Sequence, residues 1–454
     1  MLSAETCRKA RKSRDPRFDG KFFIAVKTTG IYCRSICPVM SPKEENVRYY
    51  PSAVEAAQAG FRPCLRCRPD SAPGSPVWNG VNTTLERAIR MIHSGSLQDQ
   101  PVPAVAARLG VSDRYLRRLF QKHLGVSPKT FALYHQCLFA KQLLHQTHLP
   151  IHQIALASGF NSVRRFNDCF QNQLALTPTQ VRRSGAVRSQ ELRLHLSYRP
   201  PYDWTHMRNF LQARAIPEME WLDERSYGRT FSWSGCHGHF TAEWARAEHK
   251  FLVTIECDDL SHFKPIVLNI RRLLDLDVDI QSVEDDLQQV FGDSQPVRKG
   301  LRLPGCWNMF EAGVCAILSQ QATVPAAANP VANLVRELGR SLGDRRWFPA
   351  PEAIAESDLA FLSIPNARRR TLQDFARHFR NHANPDDPQT WSILRGIGPG
   401  TVKVAQMRGT SHPDVFLDGD LGVARGMAQL DQPLEPHAAS PWQSYLTLQL
   451  WSLQ

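Results

Sequence analysis

The chain has 454 residues, 42% of them hydrophobic, and a formal net charge of +12. That length accommodates about three domains with separate cores, and no apolar run approaches the roughly 18 residues of a membrane helix, so a soluble protein with no membrane partner is expected. The charge is uneven: residues 1–190 hold 28 Lys and Arg against 11 Asp and Glu, the remainder 27 against 32, which gives the N-terminal part the long-range attraction for a polyanion.

The first informative stretch is Cys33-Arg-Ser-Ile-Cys37 followed, after 26 residues, by Cys64-Leu-Arg-Cys67. Each short spacing lets one turn present two thiolates to one ion, as a tetrahedral four-thiolate zinc site requires. Disulfides are the competing reading. Met1–Lys21 lacks the apolar core of a secretory signal, which favours a reducing cytoplasm and metal binding. One zinc ion is the expected cofactor, and its bland role is to fold a small domain. The other seven cysteines, Cys7, Cys137, Cys169, Cys236, Cys257, Cys306 and Cys315, show no metal spacing. None follows Cys315, which excludes a C-terminal iron-sulfur loop.

Phe22–Arg34 and Phe61-Arg-Pro-Cys-Leu-Arg-Cys-Arg-Pro-Asp70, with these cysteine spacings, resemble the bacterial Ada methyl phosphotriester repair domain over residues 5–72. The resemblance implies that Cys33 takes a methyl group from a methylated DNA phosphate and stays alkylated. The chemistry agrees, because zinc holds a cysteine in its nucleophilic thiolate form at neutral pH. A four-thiolate zinc centre carries a formal charge of minus two and repels ordinary phosphates; methylating one sulfur leaves minus one. One unit charge about 8 Å from a phosphate is worth roughly 0.5–2 kcal/mol, so methylated Cys33 is expected to raise DNA affinity. Arg34, Arg62, Arg66 and Arg68 are candidate phosphate contacts, or ordinary solvated arginines.

Ser71-Ala-Pro-Gly-Ser-Pro76 reads as a linker and Thr84–His93 as an amphipathic helix. An internal repeat comes next. Ala106-Ala-Arg-Leu-Gly110 and Ser112-Asp-Arg-Tyr-Leu-Arg-Arg-Leu-Phe120 match Ala155-Leu-Ala-Ser-Gly159 and Asn161-Ser-Val-Arg-Arg-Phe166 with Phe170. The units end in Ser127-Pro128 and Thr177-Pro178. Alanine allows close helix packing, glycine makes the turn, and Ser112 or Asn161 caps the second helix, the pattern of a duplicated helix-turn-helix. Arg114, Arg117 and Arg118 in one copy, with Arg164 and Arg165 in the other, lie off the apolar face and suit a major groove. Two plain helical hairpins are the bland alternative. The region resembles AraC-type DNA-binding domains, which implies that the two units, Asn161 included, occupy successive major grooves.

Leu192–Tyr198, Tyr227–Gly235 and His249–Glu256 read as strands, Asp203–Ala215 as a capped helix and Phe263–Leu274 as another helix. From Asp277 onward the pattern is almost wholly helical. Ile393-Leu-Arg-Gly396-Ile-Gly398-Pro-Gly400-Thr401 reads as a helix-hairpin-helix turn whose glycines let backbone N–H groups approach a phosphate. Asp414-Val-Phe-Leu-Asp418-Gly-Asp420-Leu then sets carboxylates in an apolar frame.

Hairpin and aspartate, with Pro200-Pro-Tyr-Asp-Trp204, Leu301-Arg-Leu-Pro-Gly305, Phe310-Glu311, Ala316-Ile-Leu-Ser-Gln-Gln321 and Ser444-Tyr445 to Trp451, resemble AlkA-type 3-methyladenine DNA glycosylase II over nearly all of 191–454. The resemblance implies that Asp420, rather than Asp418, is the catalytic aspartate; a helix N-cap is its bland role. Alkylated purines are cationic and leave readily, so one carboxylate suffices to stabilise the oxocarbenium-like sugar. Gly400 stands where lyase-active relatives carry a lysine, which implies a monofunctional hydrolase; Lys403 is read as a phosphate contact or surface lysine. Gln321 matches the wedge that fills the gap left by a flipped base, and Phe210 and Trp451 match pocket walls that stack on a cationic base. Each aromatic is otherwise a core residue. Gly400 and Val404 replace cleft aromatics, and Pro325 and Pro330 are expected to interrupt a helix.

The expected architecture is multidomain α+β. Residues 1–75 form a zinc-thiolate methyl acceptor, 76–189 a double helix-turn-helix, 190–276 a small α+β subdomain, and 277–454 a helix-hairpin-helix glycosylase. The expected protein is a cytoplasmic, monomeric alkylation-response repair enzyme and regulator whose partner is damaged and promoter duplex DNA, with RNA polymerase as a further candidate. A methylation-sensing activator with a degenerate, DNA-holding glycosylase is the alternative. No Pro-Cys-His-Arg motif occurs, so no repair of O6-methylguanine is expected.

Overall fold

The computed structural model describes residues 3–14, 18, 21–37, 39, 42–64, 67, 69, 83–93, 95–183, 192–292, 295–320, 324–382 and 385–453. Two compact units form: Met1–Pro200 with Ala245–Ile270 and Leu276–Asp279, and Pro201–Trp244 with Arg271–Asp275 and Ile280–Gln454. Among the described residues no helix is long and apolar enough to cross a membrane.

In the first unit, α1 (Ala4–Ser13) starts at Ser3, whose hydroxyl accepts from Thr6 N, and buries Cys7 and Ala10 against Phe22 and Ile24. Strands β1 (Phe23–Val26), β2 (Ile31–Arg34), β3 (Val47–Tyr50) and β4 (Arg62–Pro63) make a sheet of order β3-β1-β2-β4. β2 pairs with β4 in parallel, Ile31 opposite Arg62 and Tyr32 opposite Pro63. Helix α2 (Ala53–Gln58) closes one face through Ala56, packed with Phe23, Ala25 and Tyr32.

The described residues then give α3 (Thr83–His93), α4 (Ser96–Asp99), α5 (Val102–Arg108), α6 (Asp113–Leu124), α7 (Pro128–Gln146), α8 (Ile151–Ala157), α9 (Val163–Leu174) and α10 (Pro178–Arg183). The pairs α5–α6 and α8–α9 are the two helix-turn-helix units, and α7 joins them. Ser112 caps α6 by accepting from Tyr115 N at 3.2 Å. The expected cap of α9 needs correction: Ser162, not Asn161, accepts from Arg165 N at 3.2 Å. The second turn is one residue longer, which moves the cap along by one. Helix α7 has no solvent face over its second half; every residue from Gln136 to Gln146 is buried.

The later strands are β5 (Arg193–Ser197), β6 (Glu220–Leu222), β7 (Ser226–Trp233), β8 (Cys236–Ala245) and β9 (Lys250–Cys257), with a two-residue antiparallel pair, β10 (Ser341–Leu342) and β11 (Arg345–Arg346), inside the otherwise helical C-terminal part. β5 and β9 pair antiparallel in the first unit, and β6, β7 and β8 form an antiparallel meander in the second. The remaining helices are α11 (Trp204–Gln212), α12 (Phe263–Leu273), α13 (Ile280–Phe291), α14 (Met309–Leu318), α15 (Val324–Leu338), α16 (Pro351–Glu356), α17 (Asn366–Asn381), α18 (Pro399–Gly409), α19 (Leu421–Met427) and α20 (Gln443–Trp451).

The prolines do not interrupt α15. Pro325 falls in its first turn, where a missing N–H is no loss, and Pro330 lies inside the continuous helix. Motif residues of the second unit are packing devices: Glu311 holds Arg229 at 2.9 Å in the core, and the Tyr445 hydroxyl donates to Asp275 Oδ2 at 2.9 Å. Close contact of α14 with α18 needs Gly409, where a Cβ would meet Met309 Sδ at 2.6 Å. That contact fixes the helix on which the hairpin is mounted.

Candidate functional site

The parallel β2–β4 pair brings the four cysteines together. Cys33 lies on β2 and Cys64 directly after β4, its N–H donating to Tyr32 O at 2.9 Å. Cys37 N donates to Arg34 O at 3.2 Å, which folds the turn back toward Cys33. All four sulfurs lie within 4.8 Å of one another, compatible with the ~3.8 Å edge of a tetrahedron with Zn–S bonds of about 2.3 Å. Hydrogen bonding from Cys33 holds Cys37 down to about 7, while hydrogen bonds with Cys37 and Cys64 push Cys33 up, because crowded thiolates cannot all be charged without a cation. The donor set therefore fits one dication. Cys64 and Cys67 are buried and Cys33 and Cys37 only partly so, which leaves Cys33 on the open side.

The four arginines around the cluster separate. Arg34 is buried and its guanidinium donates to Cys67 O at 3.3 Å, beneath the cluster and away from solvent. Arg62 is half-buried on β4. Arg66 and Arg68 lie outside the described residues. In the helix-turn-helix region Arg114, Arg117, Arg118, Asn161, Arg164 and Arg165 are all exposed. Arg117 is tied to Asp113 at 3.0 Å and Arg118 lies 5.4 Å from the Tyr115 ring centroid.

In the second unit Asp420 caps α19, its Oδ1 accepting from Val423 N at 2.9 Å. The same oxygen accepts from Trp451 Nε1 at 2.8 Å. Both donors hold one oxygen; among the described residues no hydrogen bond is made to Oδ2. Asp420 is half-buried, and Leu421 beside it is 74% exposed. Trp451 stacks on Phe210 of α11, centroids 6.1 Å apart at 25°. Asp418 is exposed and bonded to Lys403 at 2.8 Å, which ties the aspartate loop to α18 and keeps the Asp418 carboxyl low.

The hairpin enters α18 through Gly398 as N-cap and Pro399 at N1. Gly396 has φ +87° and a Cβ there would meet Thr371 Oγ1 at 2.3 Å. Gln320 clasps the turn, donating to Gly396 O at 3.0 Å and Thr401 Oγ1 at 2.9 Å. The space beside Gly398 and Gly400 is open. Gln321 lies outside the described residues.

Arg214 and Arg408 belong to none of the sequence motifs yet lie beside Phe210. The Arg214 guanidinium lies 3.7 Å from the Phe210 ring centroid and that of Arg408 5.3 Å from it. Burial lowers the Arg214 pKa from its ordinary value, Arg408 lowers it further, and Asp420 opposes them. The one sequence signal was position: Arg214 lies four residues after Phe210, one helical turn.

Three family models match: the metal binding domain of Ada over residues 6–70, a helix-turn-helix domain over 105–184 and the AlkA N-terminal domain over 193–308. The first of these, on four converging sulfurs, makes the cluster a site for one zinc ion. DNA-3-methyladenine glycosylase 2 of Escherichia coli is 31% identical over 56% of this chain and 95% of its own. The bifunctional transcriptional activator/DNA repair enzyme Ada of Escherichia coli is 39% identical over 26% of this chain and 32% of its own. A probable bifunctional transcriptional activator/DNA repair enzyme AlkA of Mycobacterium tuberculosis is 34% identical over 99% of this chain and 96% of its own. The chain belongs to the AlkA family of bifunctional transcriptional activator/DNA repair enzymes.

Proposed function

We propose that this chain excises alkylated purines from duplex DNA by hydrolysis of the glycosidic bond, as a monofunctional DNA-3-methyladenine glycosylase. The observation that carries the reading is the Asp420 carboxylate, with Oδ1 anchored by Val423 N and Trp451 Nε1 and Oδ2 left for the sugar. A cationic purine leaves without a general acid, and Oδ2 stabilises the positive charge that develops on the sugar. The amide of exposed Gly400 at the start of α18 receives a DNA phosphate; Trp451 and Phe210 wall the base pocket, with Gln321 as the wedge. The test is free base released from methylated duplex DNA by wild type and by Asp420→Asn.

The second activity is methyl transfer to Cys33. Bound zinc keeps the cysteines as thiolates at neutral pH. The Cys33 sulfur attacks the methyl carbon of a phosphotriester in line; an S–C bond forms, the C–O bond breaks, and the phosphodiester anion leaves. Arg114, Arg117, Arg118, Asn161, Arg164 and Arg165 bind promoter DNA, and the loss of one negative charge at the cluster raises that affinity. Arg34 supports the cluster from beneath; Arg62 and Arg66 are the phosphate contacts. The working parts are residues 1–75, 76–189, 190–276 and 277–454, and the protein acts as a monomer in the cytoplasm, with RNA polymerase as partner at promoters.

A further inference from the structure

Two side chains of α7, the helix that joins the helix-turn-helix units, meet the segments that carry Cys33 and Cys64. The Tyr134 hydroxyl meets that of Tyr32 at 2.5 Å, and Tyr32 directly precedes Cys33. Seven residues on, the Lys141 ammonium donates to the carbonyl oxygen of Cys64 at 3.3 Å. A spacing of seven is two helical turns, so both side chains leave one face of α7. Tyr32 and Tyr134 are fully buried and Lys141 is 1% exposed, which makes these fixed contacts. They grip the strands that present the nucleophile. Tyr32 is held at both ends, its carbonyl by Cys64 N at 2.9 Å and its hydroxyl by Tyr134.

We infer that Tyr134 and Lys141, which belong to the DNA-reading module, are positioning residues for methyl transfer at Cys33. The inference rests on Cys33 being the acceptor. In-line attack by a sulfur on a methyl carbon tolerates little misplacement, and partners just outside a metal's ligands typically change activity about 10- to 100-fold when removed. Neither side chain is exposed to a duplex, so their loss acts on the transfer step rather than on DNA binding. The device makes the acceptor fully competent only while docked on α7, which couples repair to the module that reads the promoter.

The test uses full-length, zinc-loaded protein and duplex DNA carrying one methyl phosphotriester, with methylation of the Cys33 peptide followed by mass spectrometry across a range of DNA concentrations. Tyr134→Phe and Lys141→Gln are expected to lower the limiting rate about tenfold, with the half-saturating DNA concentration and zinc content unchanged. Lys141→Arg, which keeps a cationic donor, is expected to recover most of the rate. Variants that transfer at the wild-type rate overturn the inference. A loss of rate matched in all three variants by loss of zinc or of melting temperature also overturns it, because the contacts are then structural only. A wild type that leaves Cys33 unmethylated overturns the acceptor reading and this inference with it.

Discussion

Trp451 Nε1 and Val423 N both donate to Asp420 Oδ1, at 2.8 and 2.9 Å, so one carboxylate oxygen is fixed by the C-terminal helix and by the helix it caps. With Asp420 as the proposed catalytic carboxylate, the indole donor bears on the proposed chemistry. Trp451→Phe keeps an aromatic ring to stack on Phe210 but removes the donor. Because a hydrogen bond to a charged group is worth about 1.5–3 kcal/mol, base release in single-turnover assays is expected to fall at least about tenfold, while the melting temperature falls only by several degrees.

Gly396 tests the hairpin. Its positive φ, and the 2.3 Å that would separate an added Cβ from Thr371 Oγ1, leave no room for a side chain. Gly396→Ala is expected to cost about 1–3 kcal/mol by urea melting. It should also weaken binding to undamaged duplex in gel-shift titrations, since the displaced turn carries the α18 amides with it.

Arg214 bears on the choice of base. A guanidinium 3.7 Å from the Phe210 ring centroid lies against the ring proposed as a wall of the base pocket, where it would repel a cationic base. In Arg214→Ala the ratio of 7-methylguanine release to release of an uncharged damaged base is expected to rise several-fold, measured by chromatography of free bases.

His93 and His135 set an acid limit for the first unit. Their ring centroids are 5.2 Å apart; burial pushes His93 down to about 4 and His135 well below its ordinary value, with the Lys264 charge adding to both and Asp277 opposing it at His93. In the unfolded chain each titrates near 6.5, so protons bind the unfolded state more readily. Stability from this pair is fully present above about pH 6.5 and falls as pH drops toward 4. Thermal melts at pH 7.5 and 5 are expected to show the loss, and His135→Phe to reduce it.

The parts that were legible in sequence had short-range signals. The spacing of the two cysteine pairs, with no secretory signal before them, points to a four-thiolate site, the repeat around Gly110 and Gly159 declares two helix-turn-helix units, and Asp420 lies a short distance beyond a glycine-rich hairpin. Illegible features depend on where distant segments meet. Arg34 looks like a surface arginine until β4 places Cys67 O beside it. Lys141 belongs to no motif in the sequence, yet the second half of α7 is buried on all sides and its ammonium meets the Cys64 carbonyl. The α9 cap falls on Ser162 rather than Asn161 because a one-residue longer turn preserves the repeat's glycine while displacing the start of the helix.

The most direct measurement of the central claim is free 3-methyladenine released from methylated duplex DNA, wild type against Asp420→Asn. Asparagine is as good an N-cap as aspartate, so the variant keeps α19 and loses only the charge. Release by wild type and its loss in Asp420→Asn is the predicted result. Release by neither protein, or equally by both, would contradict the assignment of Asp420 and of the second unit as a glycosylase.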